Sequence, residues 1–225
     1  MNQINILGID LNNYSLKEAL ALTESFLQEG PVKTVLYIDA KMIVTAGENE
    51  KYRDYLSKCD LTIIDDEGIV EALPQTQDLK IEDVEEETYT RILLKKLVYG
   101  HKRITLLSDT TENLSGLEDN LLSYRNDLTI VSKIAMDSVE DSVETMVNEI
   151  NDVIPDVIIS RMEAVRQAEI MEKSRKMMNC RLWVGLPERA VLLKGKTPFY
   201  RKLWNKLFSK AFRKEVEKYG TKETS

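Results

Sequence analysis

Residues 59–70 read CDLTIIDDEGIV, in which the apolar run LTII (61–64) passes directly into Asp65, Asp66, Glu67 and Gly68. A short, β-branched run bounded by polar residues reads as a fully buried strand. Strands buried on both faces belong to parallel sheets covered by helices. The runs INIL (4–7), TVLYI (34–38), RITLL (103–107), LTIV (128–131), DVII (156–159) and RLWV (181–184) have the same character. Segments of helical period lie between them, predicting helices over 16–28, 40–46, 49–57, 85–98, 111–122, 138–150 and 164–178. Ser15 is placed to cap the first of these, with Glu18 completing a capping box. Strands alternating with helices of this length are βαβ crossovers. The chain is therefore read as α/β, a Rossmann-like, mostly parallel sheet with helices on both faces, plus a basic amphipathic C-terminal helix.

In such a sheet, ligands bind outside the carboxyl ends of the strands. Asp65 is the first residue past LTII, so its carboxylate is aimed at that crevice and is a candidate general base. Asp66 and Glu67 are read as the opening of the next helix, where acids favour the helix dipole and are free to turn towards solvent. Tyr37, Asp39 and Lys41 sit at the end of TVLYI, and Asp39 is also a plausible N-cap. The segment 74–88, PQTQDLKIEDVEEET, is polar, acid-rich and long, suiting either a cover for the crevice or a surface insertion.

Several chemistries lack their signature. No G-x-G-x-x-G follows a strand and no G-x-x-x-x-G-K-[ST] exists. His101 is the only histidine, so neither a His-rich zinc site nor a Ser-His-Asp relay is expected. Cys59 and Cys180 have no metal-binding or redox spacing and read as free thiols of a reducing compartment. No metal site or cofactor is predicted. The first residues, MNQINILGIDLNN, do not resemble a signal peptide, and no apolar run is long enough to span a bilayer.

Charge is unevenly distributed. The chain carries a net charge of −7, yet residues 194–214, KGKTPFYRKLWNKLFSKAFRK, hold eight basic side chains and no acid. Tyr200, Leu203, Trp204, Leu207, Phe208, Ala211 and Phe212 share one helical stripe, with Arg201, Lys202, Lys206, Lys210 and Arg213 outside it. An aromatic stripe flanked by cations suits an anionic membrane surface, contacted by Trp204, Phe208, Phe212, Lys202, Lys206 and Lys210. A terminal helix docked on its own core would show the same spacing. Basic charge confined to one helix of an acidic protein speaks against a nucleic-acid groove. Residues 1–193 are read as the α/β domain and 194–225 as its appendage.

The order of these segments resembles the WecG/TagA/CpsF glycosyltransferases. The family's "T-x-N-A-E-M" is similar to YIDAKM (37–42), its "P-E-Y-R" helix to NEKYRDYL (49–56) and its "ADLVIPDGIGVV" to CDLTIIDDEGIV (59–70). Its "P-D-I-L-L-V-G-L-G-x-P-K-Q-E" resembles PDVIISRMEAVRQAE (155–169), and its late "G-V-G…V-L-A-G-K…R-A-P" resembles WVGLPERAVLLKGKTP (183–198). The resemblance implies an N-acetylhexosaminyl transferase that uses a nucleotide-sugar (UDP-sugar) donor and a polyprenyl-diphosphate-linked acceptor, in synthesis of bacterial surface polysaccharide or teichoic acid. It implies no essential metal, Asp65 as base, and a donor pocket lined by Tyr37, Asp39, Asp65 and Gln167. Arg201 or Arg213 would neutralise the leaving diphosphate. The implied location is cytoplasmic, peripheral at the inner face of the cell membrane, with a homo-oligomer or a partner glycosyltransferase as assembly. Tyr37 and Asp39 stand where the family has threonine and asparagine, Asp66 and Glu67 replace a glycine and a small or apolar residue, and Ser160-Arg161-Met162-Glu163 replaces a glycine-rich turn. These departures leave a second reading, a catalytically silent membrane-associated subunit that retains the fold and partners an active transferase.

Overall fold

A computed structural model describes residues 3–28, 30–73, 79–80, 87–137 and 143–190. The chain begins with a hairpin, β1 (Gln3–Ile6) and β2 (Ile9–Asn12), followed by α1 (Leu16–Phe26). Then come β3 (Lys33–Ile38), α2 (Ala40–Glu48), α3 (Glu50–Ser57), β4 (Leu61–Ile64) and α4 (Glu67–Ala72). The second half supplies α5 (Thr88–Tyr99), β5 (Arg103–Ser108), α6 (Thr111–Tyr124), β6 (Thr129–Ala135), α7 (Val143–Val153), β7 (Val157–Met162), α8 (Ala164–Ser174) and β8 (Leu182–Pro187).

Six strands form one sheet in the order β4-β3-β8-β7-β5-β6, and every pairing in it is parallel. All carboxyl ends therefore lie along one edge. β7 and β8 are buried at every position, as the unbroken apolar runs predict. Alternation along each strand feeds two cores. Val35, Tyr37, Val157, Ile159 and Val184 pack with α1, α5 and α6 on one face. Leu36, Ile38, Ile158 and Trp183 pack with α2, α3, α7 and α8 on the other. The result is a three-layer α/β/α arrangement, as expected for an α/β chain.

The first strand departs from the expected crossover pattern. Ile4, Ile6, Ile9 and Leu11 alternate inward, and Ile6 pairs with Ile9 across a two-residue turn. Leu7 (φ 52°) and Gly8 (φ 80°) both take the positive φ values that such a turn needs. This antiparallel pair is separate from the six-stranded sheet but guards its β4 edge. Asn12 N–H donates to Thr62 Oγ1, and Thr62 N–H donates back to Asn12 Oδ1, both at 2.9 Å. An otherwise open strand is covered in this way. The predicted capping box is present: Ser15 N–H donates to Glu18 Oε2 at 2.8 Å while Ser15 Oγ accepts from Glu18 N–H. Of the helix predicted over 138–150, residues 138–142 lie outside the described residues, and the described part runs over Val143–Val153.

Candidate functional site

At the β3/β4 end of the carboxyl edge, three acids adjoin. Asp65 N–H donates to Ile38 O at 3.0 Å, which adds a rung beyond β4 and holds Asp65 against the end of β3. Asp65 is 8% exposed. Asp39, half-buried, is the N-cap of α2, its Oδ1 accepting from Met42 N–H at 2.8 Å. Asp66 caps α4 through Oδ1, which accepts from Gly68 N–H at 2.7 Å. Its Oδ2 accepts from Ala40 N–H at 3.1 Å. The expectation that Asp66 turns freely towards solvent is therefore corrected: it joins two helix N-termini, because each leaves amide donors that its own turns cannot satisfy. Glu67 is exposed, as expected. Burial raises the Asp39 carboxyl to about 6, the charges of Asp66 and Asp65 add to the rise, and Met42 N–H and Lys41 oppose it.

Under the neighbouring ends of β7 and β8 lies a closed polar chain. Trp183 Nε1–H donates to Ser160 Oγ at 2.7 Å, and Ser160 Oγ donates to Gln167 Oε1 at 2.5 Å. Gln167 Nε2 donates to Leu186 O at 3.4 Å. Gln167 is 1% exposed, so its amide serves the interior. Gly185 makes room for it: a Cβ there would stand 2.7 Å from Leu36 Cδ1 and 3.1 Å from Gln167 Nε2. Tyr37 is interior too. It packs 6.3 Å from Tyr89, centroid to centroid, and its hydroxyl shares a 2.7 Å hydrogen bond with Thr90. Of the four residues expected in a donor pocket, the structure thus brings Asp39 and Asp65 together and holds Tyr37 and Gln167 inside the protein.

The β5/β6 end has acids as well. Asp109, one residue past β5, accepts from Asn113 Nδ2 at 2.9 Å and from Glu163 N–H at 3.2 Å. Burial would raise its carboxyl, but these donors, its own amide and Ser108 outweigh burial and hold it below the usual carboxylate range. Asp137, past β6, accepts from Thr111 N–H with both oxygens at 3.1 Å. Glu163 caps α8, accepting from Arg166 N–H at 2.9 Å. Lys41 reaches from α2 to Glu188 beyond β8, Nζ to Oε2 3.3 Å. Among the described residues no group of three His, Cys, Asp or Glu side chains is arranged to hold a metal ion. Cys59 and Cys180 are buried, unbridged thiols, both pushed up to about 12 by burial. Asp109 and Asp137 carry charges of this edge that the sequence reading did not single out, and Arg161, buried at the end of β7, figured there only as part of a replaced glycine-rich turn.

Arg201, Arg213, Trp204, Phe208, Phe212, Lys202, Lys206 and Lys210 lie outside the described residues. No described helix is long and apolar enough to cross a membrane. An acid held at the tip of a buried parallel strand, beside a second acid that retains its proton readily, can accept a proton from a bound hydroxyl. In comparisons with known proteins, no curated protein matches the chain. A family model does: Glycosyl transferase WecG/TagA/CpsF family, over residues 4–190, which takes in the hairpin, the whole parallel sheet and its acidic edge. The chain belongs to the WecG/TagA/CpsF family of glycosyltransferases.

Proposed function

We propose that the protein transfers an N-acetylhexosamine from a UDP-sugar to a polyprenyl-diphosphate-linked sugar, with inversion, in the synthesis of a bacterial surface polymer. Asp65 takes the proton of the acceptor hydroxyl as its oxygen bonds to the anomeric carbon. The bond from that carbon to the diphosphate breaks on the opposite face, and the nucleotide leaves with the electron pair. The observation that carries this reading is the placement of Asp65, fixed by the rung to Ile38 O beside Asp39 at the carboxyl edge of a parallel sheet. Asp39 contributes to the donor side of the crevice. Gln167 supports that crevice from below through Ser160 and Leu186 O, and Tyr37 supports it through Thr90. Arg201 or Arg213, from the basic stretch, neutralises the leaving diphosphate. The same stretch brings the protein to the anionic inner face of the membrane, where the acceptor lipid resides.

A second reading, a catalytically silent subunit that pairs with an active transferase, is favoured by one feature. The N-termini of α2, α4, α6 and α8, which could bind phosphate, are already capped by Asp39, Asp66, Thr110 and Glu163. A transfer assay separates the two. Radiolabelled UDP-N-acetylhexosamines are incubated with the protein and a polyprenyl-diphosphate-linked sugar in anionic vesicles, and lipid product is separated by chromatography. Labelled lipid that depends on the protein supports the transferase. Its absence across the donor panel, with label appearing only when a second transferase is added, supports the subunit.

A further inference from the structure

β7 is an apolar strand with one charge inside it. Arg161 is 8% exposed, and the pleat turns its side chain to the α6 face, where Val157 and Ile159 also pack. It pairs in register with Ser108 of β5 and Leu186 of β8, so it stands at the edge that carries Asp65. The guanidinium lies against α6, where a Cβ on Gly116 would come within 2.9 Å of Nη2. Nη2 donates to Asn113 O, and Nη1 donates to Ala190 O at 3.4 Å. Nε is buried with no acceptor among the described residues. No ion pair within 4.0 Å involves Arg161 among those residues. Asp109 is near enough to act on its charge, but its oxygens are engaged by Asn113, Glu163 N–H and Ser108.

A buried cation that meets only carbonyls is poorly compensated for its lost hydration. Burial lowers its pKa, Asp109 opposes the fall, and an arginine stays charged nonetheless. Its five N–H donors form a planar fork that fits phosphate oxygens, and an unused Nε–H beside Nη is half of that fork. We propose that Arg161 is an anion-recognition residue of the carboxyl edge, binding the oxygens of a diphosphate group. The identity of that ligand rests on the transferase reading. The shared chemistry is a diphosphate, carried either by the nucleotide sugar or by the lipid-linked acceptor.

The test follows the Arg161 Nε–H signal of the full-length, 15N-labelled protein by NMR as pyrophosphate, UDP, a UDP-sugar or a short prenyl diphosphate is added. A saturable shift of that signal, with at least tenfold weaker binding of the same ligand to a folded Arg161→Met variant, is the expected result. The uridine nucleoside should show no such difference between the two proteins. The NMR arm needs no variant, so it decides the matter even if Arg161→Met does not fold. A shift with UDP identifies the donor as the source, and one with the prenyl diphosphate alone identifies the acceptor. A UDP-sugar that binds without moving the Nε–H signal leaves the donor reading standing and makes Arg161 a brace between α6 and the end of β8. A shift with pyrophosphate and no binding of any UDP-sugar does the reverse. No shift with any diphosphate overturns the inference.

Discussion

Asp39 and Asp109 occupy the same place in the fold, one residue beyond a buried parallel strand, yet their carboxyls are driven in opposite directions. Asp39 is raised to about 6, first by burial and then by Asp66 and Asp65, while Asp109 is held below its ordinary range by several donors that outweigh burial. The difference lies in the neighbours. Among the described residues Met42 N–H is the one hydrogen-bond donor acting on Asp39, which faces two acids across the β3/β4 ends. Asp109 has Asn113, Glu163 N–H and Ser108 as donors, with the Arg161 charge close by. One end of the edge thus carries a carboxyl that binds its proton more tightly than usual, and the other a carboxylate kept ionised by its donors.

The largest effect is expected at the proton-accepting end. Asp65→Asn should lower turnover about 100- to 10,000-fold, the usual worth of a positioned base, while donor affinity is nearly unchanged in calorimetry. Equal loss in Asp66→Asn would mean that the acids act as a unit and would remove Asp65 from its separate role. Next in size is the interior chain between the two ends. Gln167→Leu leaves Ser160 Oγ and Leu186 O short of a partner, at a cost of about 2–3 kcal/mol in urea unfolding. An unchanged midpoint would show that Gln167 is not a structural member.

The two aspartates themselves should give opposite pH signatures. Asp39 has a raised folded pKa, so the folded state binds its proton more tightly than the unfolded state, and ionisation destabilises as pH rises from about 4 towards 6. Asp39→Asn should therefore gain about 2 kcal/mol on the wild type between pH 4 and pH 7. Asp109 has a lowered folded pKa, so its stabilisation is present above the unfolded value and is lost as pH falls through the folded one. Asp109→Asn should accordingly be most destabilising near neutrality and converge on the wild type in acid. Parallel slopes for the two variants, measured by urea unfolding at several pH values, would break the comparison. The smallest effect is Asp66→Ala, at about 1 kcal/mol for the lost cap of α4 and the contact to Ala40 N–H.

Much of this could be read before any coordinates. LTII, TVLYI, RITLL, DVII and RLWV became the core of a parallel sheet because strands buried on both faces carry continuous apolar side chains. Asp39 and Asp66 as caps follow from residue type and position alone. The hairpin was overlooked because IDLN (9–12) is short and half polar, although Ile4, Ile6, Ile9 and Leu11 alternate around Leu7-Gly8 as a hairpin should. Tyr37 and Gln167 are buried at positions that strand and helix period make inward-facing. Tyr37 shares its face with Val35 by strand period, and Gln167 shares the buried stripe of α8 with Ala164, Ala168 and Met171. Arg161 registered only as a missing glycine. Its signal was a single charge inside VIISRM, and its meaning depended on Asn113 and Ala190, far away in sequence.

Calorimetric titration of the full-length protein with a panel of UDP-sugars tests the central claim, that this acidic edge is a nucleotide-sugar site. The account predicts micromolar binding of at least one UDP-N-acetylhexosamine, retained in Asp65→Asn and weakened in Arg161→Met. Failure of every member of the panel to bind the wild-type protein would contradict it and leave a family fold that serves as a silent partner subunit.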